Sequence, residues 1–285
     1  MSMKRLILIL AAFFTLTSQA RVLPVRSAED ATRIQEILGI LQATEGETGD
    51  RMVAAALALQ GAGEDDYYTV DSVANLRINT GTFTPLMFVN TVIALAKASE
   101  KAGTIDLNTF SSEFENISSR KGEAKGFPSV MYHASDWIID NTARGNITEL
   151  TENYSGVVAR TKSLDEMTRK RGNFAALADS ATFEAVRMTE MGFRTHRIPS
   201  LKKETIKKKE VVEDLRNGDI ILMVPGRDGI DIYDMGFVTL ENGLPYLIHL
   251  SPQSHTVVKE KEDLARYMNL MTKYFQGYRI LRVKQ

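Results

Sequence analysis

The sequence predicts an α+β fold, a helical first half followed by a β-rich second half. Two observations carry the prediction. As far as residue 191, apolar residues recur at helical spacing behind capping residues. From Gly218 onward the pattern changes to short apolar runs separated by turn signals.

The elements follow in order. Ser27-Ala28-Glu29-Asp30 has capping-box character, and Ile34, Ile37, Leu38 and Leu41 continue at helical spacing. A second helix is expected over Arg51–Gln60, ending at Gly61-Ala62-Gly63. The central helix runs from Thr84 to Lys97. Thr84 suits an N-cap and Pro85 the first helical position, because the N–H that proline lacks has no acceptor there. Phe88, Val92 and Leu95 form one stripe with Val89, Ile93 and Ala96 beside them, so this helix is expected to be buried nearly all round. Asp106 caps a short helix carrying Phe110, Phe114 and Ile117, and Lys121–Phe127 reads as a loop. Ser129–Asn141 reads as a helix holding the only tryptophan, Trp137. Residues 155–173 read as a loop and Asn173–Met191 as a helix. Ile198–Val212, with Lys202, Lys203, Lys207, Lys208 and Lys209, reads as a solvated linker or a lysine-protected edge strand, with an acidic polymer as the alternative reading. Strands are expected at Asp219–Val224, Ile232–Leu240, Tyr246–Leu250, Gln253–Val258 and Gly277–Val283. Glu241-Asn242-Gly243 marks a hairpin, and a helix is expected at Lys261–Leu270.

Composition sets the bounds. The chain has 285 residues, 44% hydrophobic and 25% charged, as expected of globular material. Met1–Ala20 has a basic start, an apolar run from Leu6 to Phe14 and small residues at Ser18 and Ala20. This reads as a signal peptide cleaved after Ala20 and too short to span a membrane, so the expected location is periplasmic or secreted. Residues 21–285 then form a single domain, with a helical extension at 21–64, a helical half at 65–200 and a β-rich half at 201–285. With Lys4 and Arg5 set aside, 33 basic and 36 acidic residues remain, a formal charge of −3, and nothing suggests a nucleic-acid partner. There is no cysteine, so neither a disulfide nor a thiol nucleophile is available. The four histidines, His133, His196, His249 and His255, show no metal-ligand spacing, and no metal or cofactor is expected.

Five runs carry a family resemblance. They are Thr84-Pro85-Leu86-Met87-Phe88-Val89-Asn90, continuing to Ala96; Ser135-Asp136-Trp137-Ile138, leading to Gly145-Asn146-Ile147-Thr148; Gly218-Asp219-Ile220; Gly229 to Phe237; and Tyr246 to Ser251. Together, over about residues 70–284, they resemble the papain-like, NlpC-type peptidoglycan amidases. The nearest branch is the N-acetylmuramoyl-L-alanine amidases of Bacteroides-type bacteria. The resemblance implies a helical half packed on a C-terminal antiparallel sheet or barrel. It also implies a cysteine nucleophile at position 85, a histidine base at 234 and an orienting group at 249. This chain has Pro85, Asp234 and His249 there, so two of the three groups are replaced. The reading is therefore a pseudoenzyme without catalytic residues. It would bind a muropeptide or other peptide in the former cleft through Thr84, Tyr132, Asp136, Trp137, Tyr233, Asp234 and His249. The alternatives are an amidase with a non-standard site and a partner-binding protein with a closed cleft. Each residue also has a plainer reading: core packing for Trp137, a strand-start turn for Asp219, a hydrogen-bonded core histidine for His249.

Overall fold

The computed structural model describes residues 27–65, 76–103, 105–271 and 273–285, so the leader expected at Met1–Ala20 lies outside the described residues. In chain order the elements are α1 (Ala28–Gln42), α2 (Thr48–Ala58), β1 (Gly63–Glu64), β2 (Thr82–Phe83), α3 (Pro85–Ser99), α4 (Leu107–Ser118), α5 (Ala134–Ala143), β3 (Ile147–Glu149), β4 (Val157–Thr161), α6 (Glu166–Arg169), α7 (Ser180–Gly192), β5 (Arg197–Lys202), α8 (Lys209–Val212), β6 (Ile220–Val224), β7 (Asp234–Glu241), β8 (Leu244–Ser251), β9 (Thr256–Lys259), α9 (Leu264–Leu270) and β10 (Gly277–Val283). The architecture is α+β.

Ser27 caps α1, and Asp106 caps α4 by accepting from the Asn108 and Thr109 amides. At α3 the cap is Thr84, which accepts from the Met87 amide, with Pro85 in the first turn. Helix α3 is the hub. Thirteen of its residues are buried, and Phe88 meets Phe83 and Phe237 edge-on at 5.8 and 5.7 Å. Ile34, Leu38 and Leu41 of α1 and Met52 and Ala55 of α2 share one core with it. The expected N-terminal extension is thus integral to the main core from Ser27 onward.

Among the described residues ten strands form one sheet in the order β2-β1-β9-β8-β7-β6-β10-β5-β4, with β3 also on β10. It is antiparallel except for the β1–β2 pair. The hairpin between β7 and β8 turns at Asn242 and Gly243, both at positive φ, the geometry of a type I′ turn. One face of the sheet takes Met235, Phe237, Ile248 and Leu250 into the core beneath α3. The other takes Val238, Leu247 and Tyr278 into a second core, to which α9 contributes Tyr267.

Three expectations are corrected. The 155–173 loop contains β4 and α6, which lack a clear apolar period. The lysine-rich run holds an interior strand, β5, paired to β4 and β10, so the edge belongs to β4. The sheet also recruits β1 to β4 from the first half and does not belong to the C-terminal half alone.

Candidate functional site

At the N-terminus of α3 lies a cavity of about 400 Å³, lined by Thr84, Pro85 and Leu86, by Tyr132 and His133 ahead of α5, by Glu166 of α6, by Arg227 and Ile230–Tyr233 ahead of β7, and by Glu64 at the end of β1 with Asp65 after it. Its volume suits a small ligand. Thr84 is fixed there by its capping bond to the Met87 amide, 3.3 Å. Tyr132 donates to Glu166 Oε2 at 3.2 Å, and burial together with the Glu166 charge pushes the phenol up. Asp231 is buried because its carboxylate accepts the Ala134 and Ser135 amides, capping α5 from a distant loop. Tyr233 stacks on Tyr274, ring centroids 5.2 Å apart.

Asp234 and His249 lie elsewhere. Along β7 the side chains alternate. Met235 and Phe237 face α3, whereas Asp234 falls with Val238 on the face that carries His249 and Tyr267. Both side chains are fully buried and outside the cavity lining. Asp234 Oδ2 is 2.6 Å from His249 Nδ1 and accepts from the Tyr267 hydroxyl at 3.3 Å; Glu260 Oε1 is 2.9 Å from His249 Nε2. Burial alone would push the imidazole down. The Asp234 carboxylate and then Glu260 outweigh it and hold His249 up at about 9. At neutral pH the ring is an imidazolium donating to both carboxylates, so it has no lone pair with which to accept a proton. Asp234 Oδ1 is sealed and has no hydrogen-bond partner among the described residues.

Of the residues expected in the cleft, the structure brings together Thr84, Tyr132 and Tyr233 beside Pro85. It does not bring Asp136, Trp137, Asp234 or His249 into that lining. Trp137 is fully buried and donates its indole N–H to the Ile117 carbonyl at 2.9 Å, which makes it a core residue. Asp136 forms a two-pronged pair with Arg120, 2.6 and 2.5 Å, at a small crevice behind Tyr132 and His133. Asp219 pairs with Arg282 at 2.7 Å at the start of β6.

The sequence reading missed His133, which lines the cavity although only 4% exposed. Its Nε2 is 2.9 Å from Glu190 Oε1. Glu190 also accepts from the Met167 and Thr168 amides and the Thr168 hydroxyl. The available sequence signals were a histidine immediately before a helix start and its place in Val130-Met131-Tyr132-His133, which the resemblance sets near the cleft; its partner lies 57 residues on. Among the described residues, no group of three or more His, Asp or Glu side chains is arranged to hold a metal ion.

A family model described as AmiA-like, N-acetylmuramoyl-L-alanine amidase-like, matches residues 67–273. Among solved structures, the chain is similar to an N-acetylmuramoyl-L-alanine amidase from Bacteroides uniformis ATCC 8492, with 20% identity and a TM-score of 0.73 over 84% of this chain and 100% of that one. It is also similar to a Bacteroides fragilis protein provisionally called a xylanase, with 24% identity and a TM-score of 0.70 over 80% and 99% of the two chains. Protein LPG0564 from Legionella pneumophila, of the DUF1460 family, matches with 16% identity and a TM-score of 0.70 over 90% and 95%. At these identities the likeness is one of fold. No curated protein sequence matches.

Proposed function

Because the chain belongs to the N-acetylmuramoyl-L-alanine amidase-like family, we propose that it is a papain-like, NlpC-type member of that family which binds a muropeptide or related peptide without cleaving it. The observation that carries the reading is an open cavity at the α3 N-terminus with a proline at its mouth, where the resemblance expects a thiol. An amidase of this kind needs a thiolate and a neutral imidazole to take its proton. Residue 85 has no nucleophilic atom, and His249 is held as an imidazolium between two carboxylates. The cavity itself favours binding over the closed-cleft alternative, since about 400 Å³ beside Pro85 is left open by the side chains of the described residues. An amidase built on Thr84, Asp234 and His249 is disfavoured, because the last two are sealed on the other face of the sheet. The leader expected at Met1–Ala20 would place the protein in the periplasm or outside the cell, and among the described residues no helix is long and apolar enough to cross a membrane.

Calorimetry of purified protein with N-acetylmuramoyl peptides tests the reading, alongside mass spectrometry of the same mixtures. Heat of binding at submillimolar ligand with no released stem peptide is expected. Turnover by the wild type, or no heat at millimolar ligand, would overturn it.

A further inference from the structure

We infer that His133, held by Glu190, is the anchoring donor of the cavity and presents Nδ1–H to a backbone carbonyl oxygen of the bound peptide. The inference rests on reading the cavity as a peptide site and names the group that recognises the ligand there.

Geometry carries it. His133 is almost completely buried, yet it lines the cavity. Its Nε2 is committed to Glu190, a carboxylate that accepts three further bonds and cannot turn away. A carboxylate accepts only, so Nε2 must carry a proton. Nδ1 makes no hydrogen bond among the described residues and is not one of the sealed polar atoms. Glu190 lines the crevice behind the ring and not the cavity, so Nε2 is turned that way and Nδ1 is the ring nitrogen left uncommitted. A buried imidazole fixed at one nitrogen and open at the other is a preorganised donor.

The surroundings decide the protonation of Nδ1. Burial pushes the ring down, but the Glu190 hydrogen bond and the charges of Asp231, Glu190 and Asp136 more than offset it, and the net direction is up. Glu190 is correspondingly pushed down: burial opposes this, and the His133 and Thr168 bonds prevail. Tyr132 and Glu166, bonded to each other, and Arg120, bonded to Asp136, also border this pair, and Arg227 stands at the rim. Below its folded pKa the ring offers Nδ1–H; above it, Nδ1 offers a lone pair that repels an acceptor. The ligand atom is an acceptor, and a neutral one. Glu64, Asp65, Glu166 and Asp231 line the same space and outnumber its cations, Arg227 and the protonated His133 ring, so a ligand carboxylate would meet an excess of like charge. An amide carbonyl does not.

The test is the affinity for N-acetylmuramoyl dipeptide as a function of pH, in the wild type and in His133→Asn, whose amide keeps a neutral donor near the Nδ1 position. Wild-type affinity should hold steady through the unperturbed imidazole value of about 6.5 and fall only beyond the ring's raised folded pKa, approaching tenfold per pH unit there. His133→Asn should bind about tenfold more weakly at pH 6, the difference between a charged and a neutral donor, and its affinity should not follow pH in that window. In the wild type, the His133 ring resonances should move on adding the peptide. Binding whose pH dependence is the same in both proteins would overturn the anchor while leaving the peptide-site reading intact. Absence of binding by the wild type at any pH would overturn both.

Discussion

Gly236 shows how tightly the residues around the replaced dyad are fitted. It lies opposite His249 in the β7–β8 pair, and a methyl group there would come within 2.3 Å of the Ile248 carbonyl oxygen and 2.5 Å of His249 Cβ. Gly236→Ala should therefore destabilise the fold by roughly 1–3 kcal/mol, the cost of overpacking a closed interior. A urea midpoint equal to that of the wild type would show that the strands do not approach so closely. The sequence did align residues 234 and 249 on neighbouring strands. It could not give their face, because one step of register moves a side chain to the opposite side of a sheet. The same limit hid His133, whose character comes from Glu190, brought to it only by the fold. Trp137 was open to two readings, and its contact with the Ile117 carbonyl selects the core.

At the scale of elements, the legible parts were those with strong local chemistry. Helix α3 begins at Thr84-Pro85, α4 at Asp106, and the β7–β8 hairpin turns at Asn242-Gly243, each where its own residues favour it. The illegible parts were short and lacked a period. Strand β4 exists because β5 offers it a ladder, and α6 has its Met167 and Thr168 amides satisfied by Glu190 from α7. Such pieces take their structure from tertiary contact. The contrast gives a prediction for α3, whose first turn forms the mouth of the cavity. Thr84→Ala removes the bond to the Met87 amide and should cost about 1 kcal/mol, whereas Thr84→Ser should restore most of it. If chemical denaturation finds the two variants equal, the hydroxyl is not acting as the cap.

As a whole, the described residues build one sheet with a large core on each face and two smaller apolar clusters around residues 127–198. The resemblance-bearing runs were legible because they lie on α3, α5 and the central strands, but their separation into a cavity on one side and an ion cluster on the other appears only in three dimensions. The cluster ties β7, β8, the segment at Glu260 and α9 together through His249, so its titration should be felt by the fold as a whole. In the unfolded chain a histidine titrates near 6.5. His249 is held up at about 9, so its stabilising contribution is complete below pH 6.5 and declines as pH rises through 9. His133 is also raised and acts in the same direction. Lys162, which burial pushes down, has the opposite sign: its penalty is relieved as pH rises from its folded value towards 10.5. Comparison with a variant lacking only the His249 imidazole cancels the contributions of His133 and Lys162. Wild-type stability in urea should fall between pH 7 and pH 9.5 relative to His249→Gln, whose profile should be flatter across that interval. A direct titration of the His249 ring by NMR provides a second measurement should the variant fold poorly. A ring that titrates near 6.5, or parallel profiles for the two proteins, would mean that the two carboxylates do not hold the proton on this imidazole. His249 would then be neutral, and the case against catalysis would rest on Pro85 and on the burial of His249 away from the cavity.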